Sequence, residues 1–63
     1  MREWLRVLRK EKDMKQQQVA DSANISRQGY SFIESGERTP SVPTAKKIAE
    51  VLGFDWTEFF REV

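Results

Sequence analysis

The chain has 63 residues, with eleven Lys and Arg against ten Asp and Glu, and it contains neither cysteine nor histidine. These figures exclude a disulfide framework, a Cys/His zinc site, and catalysis by a cysteine nucleophile or a histidine base. A chain of this length forms one domain and has little room for a buried catalytic cleft. The sequence therefore predicts a single non-enzymatic domain over residues 1–63, with no metal and no cofactor.

The charge is unevenly distributed along the chain. Residues 1–31 carry seven basic and four acidic side chains, a net charge of +3, whereas residues 32–63 carry four basic and six acidic ones, a net charge of −2. Such an imbalance is also common on ordinary protein surfaces, so it assigns no partner by itself. No apolar run approaches the ~20 residues of a membrane span, and residues 1–4 lack a signal-peptide pattern, so we expect a cytoplasmic protein without membrane association.

The first predicted helix covers about residues 2–12. Trp4, Leu5 and Leu8 recur at helical spacing and form one apolar stripe. The Arg, Lys and Glu side chains are expected on the opposite face, and Asp13 marks the end of the helix.

The second predicted helix begins near Gln16 and carries a narrow stripe of small apolar side chains at Val19, Ala20 and Ala23. Small residues at these positions allow a second helix to approach closely. Asn24 then interrupts the pattern, and asparagine tolerates the left-handed backbone conformation that ends many helices. The sequence therefore predicts a tight turn here.

The third predicted helix has Ser26 as its N-cap, extends to about Ser35 and stops at Gly36, with Tyr30 and Ile33 facing inward. The fourth lies between Ser41 and Gly53 and carries Pro43 in its first turn. Its inward positions follow helical spacing: Ala45, Ile48, Ala49 and Leu52.

A fifth helix is predicted after Asp55, which with Glu58 resembles a capping box. Its apolar positions also follow helical spacing: Trp56, Phe59, Phe60 and Val63. The fold prediction is therefore an all-α domain of five short helices.

Residues 16–35 carry the functional signal. Two short helices separated by about three residues, with small side chains in the first and Asn24 in the turn, describe a helix-turn-helix. The strings LRVLRKEKDMKQQQVADSANISRQGYSFIESGERTPS and KKIAEVLGFDWTEFF resemble the phage-repressor-like, XRE-type (lambda/434 repressor-like) DNA-binding domain, from Leu5 to Phe60 without gaps. The resemblance implies a compact five-helix domain that binds the major groove of double-stranded DNA with helices 2 and 3.

The resemblance also assigns roles to individual residues. The base-reading positions at the start of the recognition helix are Ser26, Arg27, Gln28 and Ser31. Arginine pairs bidentately with guanine, and glutamine with adenine, which agrees with this assignment. The phosphate-contacting positions are Lys15, Gln16, Arg38 and Thr39. Arg9 and Glu34 match a pair that often joins helix 1 to helix 3. The alternative is that these are ordinary solvated or capping residues.

Three residues depart from the family pattern. Lys15 stands where a serine or threonine N-cap is usual, which costs about 1 kcal/mol but places a cation near the expected phosphate. Gly29 lies inside a helix and costs about 1 kcal/mol relative to alanine, which either close approach to DNA or a tolerant site explains. For Phe32 three roles stay open: contact with thymine methyl groups, cover for the next helix, or packing on the core.

The aromatic residues near the end of the chain suggest an interface. A domain this small cannot bury every ring, and exposed apolar patches mark contact surfaces. The predicted dimer interface consists of Trp56, Phe59, Phe60 and Val63, on the helix that family members often use to dimerise. Alternatively, Trp4 packs on Trp56 within one chain, and both arrangements are compatible.

The sequence thus predicts a sequence-specific DNA-binding transcriptional regulator, most simply a repressor that binds a palindromic operator as a homodimer. Two alternatives stay open. One is the antitoxin of a toxin–antitoxin pair, and the other is a protein-interaction module that has lost DNA binding. Nothing resembles an inducer-binding domain, so no small-molecule ligand is expected, and regulation would come from a protein partner, from degradation or from the protein's own concentration through dimerisation.

Overall fold

The computed structural model describes residues 1–61, and within this range it contains four α-helices, one 3-10 helix and no strand. The α-helices are α1 (Glu3–Glu11), α2 (Gln16–Ser22), α3 (Arg27–Ser35) and α4 (Val42–Leu52), and the 3-10 helix is Trp56–Phe60. None of these described helices has the length and apolar character that crossing a membrane requires.

Capping residues define α3 and α4 at the positions predicted from the sequence. The hydroxyl oxygens of Ser26 and Ser41 each accept a hydrogen bond from the backbone N–H three residues later, at 3.0 and 3.4 Å. Gly36 and Gly53 end the two helices with φ of 90° and 75°, a left-handed conformation that glycine adopts without steric cost. The predicted bounds of these two helices are confirmed.

The turn between α2 and α3 is built as the sequence predicts. Asn24 has φ of 61°, in the left-handed region. The chain reversal lets the backbone N–H of Ile25 donate to the carbonyl oxygen of Ala20 at 2.9 Å, which closes α2. Asp13, the predicted end of the first helix, has φ of 55° and separates α1 from α2 in the same way.

The apolar core draws side chains from all four α-helices and from the 3-10 helix. Its buried members are Leu5, Val19, Ala20, Ala23, Tyr30, Ile33, Ala45, Ile48, Leu52 and Phe59. The small side chains of α2 allow α3 and α4 to pack against it, as their spacing predicts. As a result, α3 has one face buried against the core and the other exposed to solvent.

The prediction of a fifth α-helix is wrong, because Trp56–Phe60 form a 3-10 helix. Segments of about one turn often adopt this tighter form, since it gains a hydrogen bond with fewer ordered residues. Asp55 caps it through Thr57, whose backbone N–H and hydroxyl donate to Asp55 Oδ1 at 3.0 and 2.7 Å. These two hydrogen bonds lower the pKa of Asp55. The capping role is thus present, but Glu58 instead accepts a hydrogen bond from Arg61 at 3.3 Å.

The aromatic rings form two groups, one around the buried Phe59 and one around the exposed Phe60. Trp4 packs on Phe54 and Phe59, with ring centroids 5.2 and 5.3 Å apart. Phe59 is only 2% exposed, whereas Phe60 is 42% exposed and stacks edge-on against Trp56 at 5.9 Å. The assignment of Phe59 to an intermolecular surface is therefore wrong, because its ring lies in the core of its own chain. Val63, also assigned to that surface, lies outside the described residues.

Candidate nucleic-acid interface

The first turn of α3 presents polar side chains while the other side of the same helix is fixed in the core. Ser26, Arg27 and Gln28 are exposed, and Ser31 is half-buried. On the inner side, the core residues are buried: Tyr30, Ile33 and Glu34. An exposed arginine and glutamine on a helix whose other face is buried place two groups capable of bidentate hydrogen bonding on one side of the protein.

The N-cap of α3 offers a structural explanation for a glycine at position 29, in addition to the suggested close approach to DNA. The backbone N–H of Gly29 donates to Ser26 Oγ at 3.0 Å, and a Cβ at this position would lie 3.1 Å from the same oxygen. A methyl group would therefore crowd the N-cap. The glycine keeps the cap tight and leaves this side of α3 half-buried and free of a side chain.

The loop between α3 and α4 lies beside the first turn of α3. Arg38 and Thr39 are exposed and line one open groove together with Ser26 and Gly29. The structure thus brings two phosphate-contacting candidates next to the base-reading candidates. A cation and hydroxyl groups beside a helix N-terminus provide suitable donors for an anionic ligand.

The other two phosphate-contacting candidates lie at the start of α2. Lys15 is exposed, and its side chain does not cap the helix; instead its backbone N–H donates to Gln18 Oε1 at 2.7 Å. Lys15 lines a second cleft with Arg9 and Lys10, separate from the groove beside α3. Gln16, the first residue of α2, is half-buried. The four phosphate-contacting candidates therefore form two separate groups rather than one continuous surface.

The ion pair between Arg9 and Glu34 joins α1 to α3. Arg9 Nε donates to Glu34 Oε2 at 2.9 Å, and Nη2 donates to Oε1 at 3.0 Å. Burial is the largest influence on Glu34 and acts to raise its pKa, but the hydrogen bonds and the charge of Arg9, together with smaller contributions from Tyr30 and Gln16, outweigh it, so the pKa lies below its ordinary value. The hydrogen bond to Glu34 likewise raises the pKa of Arg9. Both groups are thus charged. Their two parallel hydrogen bonds form a bidentate ion pair that ties α3 to α1.

The same arginine also connects α3 to the start of α2. Arg9 Nη1 donates to the carbonyl oxygen of Met14 at 2.9 Å, which fixes the backbone just before Lys15. Burial and the neighbouring Glu34 carboxylate raise the pKa of Tyr30. Within residues 1–61 the buried Tyr30 hydroxyl has no hydrogen-bond partner of normal geometry. Arg9 thus connects α1 both to α3, through Glu34, and to the segment before α2, through Met14.

Arg2 positions the site in a way that the sequence analysis missed. The prediction of a solvated basic face on the first helix is wrong for this residue, which is only 7% exposed. Its Nη1 donates to the carbonyl oxygens of Ile33 and Arg38, and its backbone N–H donates to Glu34 O at 2.8 Å. Arg2 is the N-cap residue of α1 and precedes the buried Leu5 by three positions, a spacing that could have indicated its burial but not its partners on α3 and the following loop.

The ring of Phe32 packs against Arg38, with the guanidinium carbon 5.4 Å from the ring centroid. This contact was not among the three roles left open for Phe32. It connects the last turns of α3 to the loop that carries Arg38 and Thr39.

Comparison with known proteins gives the family. The model of the Helix-turn-helix family HTH_3 matches residues 5–59. The chain is 54% identical over 63 residues to the uncharacterized HTH-type transcriptional regulator YqaF of Bacillus subtilis (strain 168), covering 100% of this chain and 83% of that protein. It is 38% identical over 60 residues to the control protein C.MunI of Mycoplasma sp, covering 94% and 81%.

A third relative is an SPbeta prophage-derived uncharacterized HTH-type transcriptional regulator, YonR, of Bacillus subtilis (strain 168). It is 39% identical over 51 residues, which cover 81% of this chain and 47% of that protein. No solved structure matches this chain significantly. The match over residues 5–59, together with the capped α2–turn–α3 unit, shows that the chain belongs to the XRE-type helix-turn-helix family of DNA-binding proteins.

Proposed function

We propose that this protein is a sequence-specific DNA-binding transcriptional regulator, most simply a repressor that occludes a promoter by binding a palindromic operator as a homodimer. The observation that carries the proposal is the first turn of α3, where Arg27 and Gln28 are exposed on a helix whose other face is held by the core. Two relatives named as transcriptional regulators support the same function.

The base-reading step rests on side-chain chemistry. In a helix-turn-helix the N-terminal part of the second helix enters the major groove. There Arg27 would donate to O6 and N7 of guanine, and Gln28 would pair with N6 and N7 of adenine. Ser26 and Ser31 lie on the same part of the helix and would add single hydrogen bonds. These contacts would specify the site.

The phosphate contacts would position the protein on the duplex without reading its sequence. Arg38 and Thr39 would bind the DNA backbone on one side of α3. Lys15 and Gln16 would bind it at the start of α2, where the positive end of the helix dipole favours an anion. Two separate groups of donors suit a helix that lies in a groove between two phosphate strands.

Selection of bound sites from random double-stranded DNA tests the proposal as a whole. We expect a two-fold symmetric consensus whose half-sites are centred about one helical turn apart, ~34 Å, because two copies of α3 would enter successive major grooves. A selected pool without any enriched sequence would refute sequence-specific binding.

Replacing Arg27 or Gln28 with alanine is expected to weaken operator binding by about 1–3 kcal/mol and to relax base preference at one position in each half-site. Arg38→Gln should instead weaken all sequences alike. The measurement is binding to a panel of single-base operator variants. Arg61→Ala is the matched control, since it removes one exposed positive charge outside α3 and the neighbouring loop. Unchanged base preference in Arg27→Ala would remove Arg27 from the readers.

Dimerisation would use the exposed Phe60 together with the half-buried Trp56. Phe60 is 42% exposed and contacts Trp56, whose ring also lies 5.2 Å from Lys46 Nζ. Aromatic rings exposed beside polar side chains are typical of contact surfaces. The other two residues of the predicted dimer interface are not part of this proposal, because Phe59 lies in the core and Val63 lies outside the described residues.

Sedimentation of the DNA-free protein tests this surface. We expect the parent to sediment as a dimer at micromolar concentration, and Phe60→Ala to shift it toward monomer while leaving the helical content unchanged. Val7→Ala is the matched control, since Val7 is 44% exposed but lies on α1, outside the predicted surface. A parent that is monomeric at high micromolar concentration would contradict the homodimer.

A further inference from the structure

The strongest feature not yet assigned a role is the contact between Phe32 and Arg38. Phe32 is a half-buried residue of α3, and the guanidinium carbon of Arg38 lies 5.4 Å from its ring centroid. Arg38 is itself exposed and lines the groove beside the first turn of α3. An exposed cation thus rests on a ring supplied by the recognition helix.

The backbone of Arg38 is held on both sides. Its N–H and that of Glu37 donate to the carbonyl oxygen of Phe32, at 3.1 and 3.0 Å. Gly36, with φ of 90°, reverses the chain so that these bonds form. The carbonyl oxygen of Arg38 accepts a hydrogen bond from Arg2 Nη1 at 3.1 Å. The position from which the Arg38 side chain starts is therefore fixed before any ligand binds.

The ring contact restrains the side chain without using its hydrogen-bonding groups. A cation–π contact engages the face of the guanidinium, whereas its five N–H donors lie in the plane. A free arginine loses rotamer entropy when it binds a phosphate, and a side chain that is already restrained loses less. The Phe32 ring can thus orient Arg38 and leave its donors available.

We infer that Phe32 is a positioning residue, which holds the Arg38 guanidinium in place for a phosphate of the DNA backbone and does not read bases. The inference rests on the proposed function, in which Arg38 contacts phosphate. It accounts for an aromatic residue at a half-buried position of the recognition helix, where a polar side chain would be solvated at lower cost.

The first test compares Phe32→Leu, which removes the ring and keeps an apolar side chain, with Phe32→Tyr, which keeps the ring. Binding to the selected operator and to random DNA is measured at several salt concentrations. We expect Phe32→Leu to bind both DNAs about two- to fivefold more weakly, and Phe32→Tyr to match the parent. A changed base preference at one position would overturn the inference in favour of direct reading.

A double-mutant cycle separates positioning from general destabilisation. In the Arg38→Gln background, whose salt slope should be smaller by about 0.9 per subunit and so by about 1.8 for the dimer, Phe32→Leu should have no further effect on affinity. An equal loss of affinity in both backgrounds would show that Phe32 acts without Arg38, and would overturn the inference. Circular dichroism of each variant confirms that the binding measurements compare folded proteins.

NMR of the DNA-free protein separates failure of this inference from failure of the proposed function. The Phe32 ring current should shift the Arg38 side-chain protons, and Phe32→Leu should return them to random-coil values. Parental DNA binding with unshifted Arg38 signals would overturn the inference alone. Shifted Arg38 signals in a parent that binds no DNA would instead overturn the proposed function, and with it the role of the contact.

Discussion

Replacing Glu34 with alanine is expected to destabilise the domain by about 3–5 kcal/mol, the usual cost of breaking a buried ion pair by removing one partner. Glu34 is only 2% exposed, and it accepts two hydrogen bonds from Arg9. The substitution leaves the charge of Arg9, whose side chain is only 12% exposed, without its partner. For 63 residues a total stability of about 3–9 kcal/mol is typical, so the substitution should remove about half of the stability or more. Urea denaturation followed by circular dichroism measures the effect.

Two controls show whether the effect comes from the ion pair. Glu3→Ala removes an exposed carboxylate that pairs with Arg6 at 3.0 Å, and it should cost less than about 1 kcal/mol. Arg9→Met combined with Glu34→Leu removes both charges and should recover most of the lost stability, because no unpaired buried charge is left. A Glu34→Ala variant as stable as Glu3→Ala would contradict this account.

The ion pair between Arg9 and Glu34 should also make the free energy of unfolding depend on pH. Because the folded pKa of Glu34 lies below its ordinary value of 4.5, its contribution is complete above that pH and is lost as the pH falls through the folded pKa. In Glu34→Gln this loss is absent, so the free energy of unfolding should fall less steeply between pH 5 and pH 3 than in the parent. Asp55, whose pKa is also lowered, should leave part of the acid dependence in place.

Replacing Phe59 with alanine is expected to cost about 3–5 kcal/mol, as for other buried aromatic residues. The ring of Phe59 lies 5.3 Å from Trp4 and 5.6 Å from Phe54, and the Arg2 guanidinium lies 5.5 Å from its centroid. Truncation removes these contacts and leaves a cavity beneath α1. It should also loosen Arg2, which joins the end of α3 to the Arg38 loop. Thermal unfolding measures the loss of stability.

Phe60→Ala is the matched control for this prediction, since it makes the same change one residue away on a ring that is 42% exposed. It should change the stability of the monomer by less than about 1 kcal/mol, because surface truncations remove few contacts. Its expected effect is on association, as described above. Similar unfolding temperatures for the Phe59 and Phe60 variants would contradict the assignment of Phe59 to the core.

The sequence by itself determined the features that depend on near neighbours in the chain. The caps at Ser26, Ser41, Gly36 and Gly53 act through hydrogen bonds and φ angles within a few residues, so local chemistry was sufficient to place α3 and α4. The left-handed turn at Asn24 follows from the same kind of local preference. These local features predicted the helix-turn-helix, and the resemblance of the whole sequence to XRE-type domains indicated the family and the candidate reading helix.

Only the tertiary structure decided which polar and aromatic side chains meet across the fold. A helical spacing continued through Trp56–Phe60 could not distinguish buried Phe59 from exposed Phe60, since the segment forms a 3-10 helix rather than an α-helix. Arg2 meets the end of α3 more than thirty residues away, and Arg38 meets Phe32 only after Gly36 has reversed the chain. Such contacts depend on how the helices pack, and no local pattern encodes them.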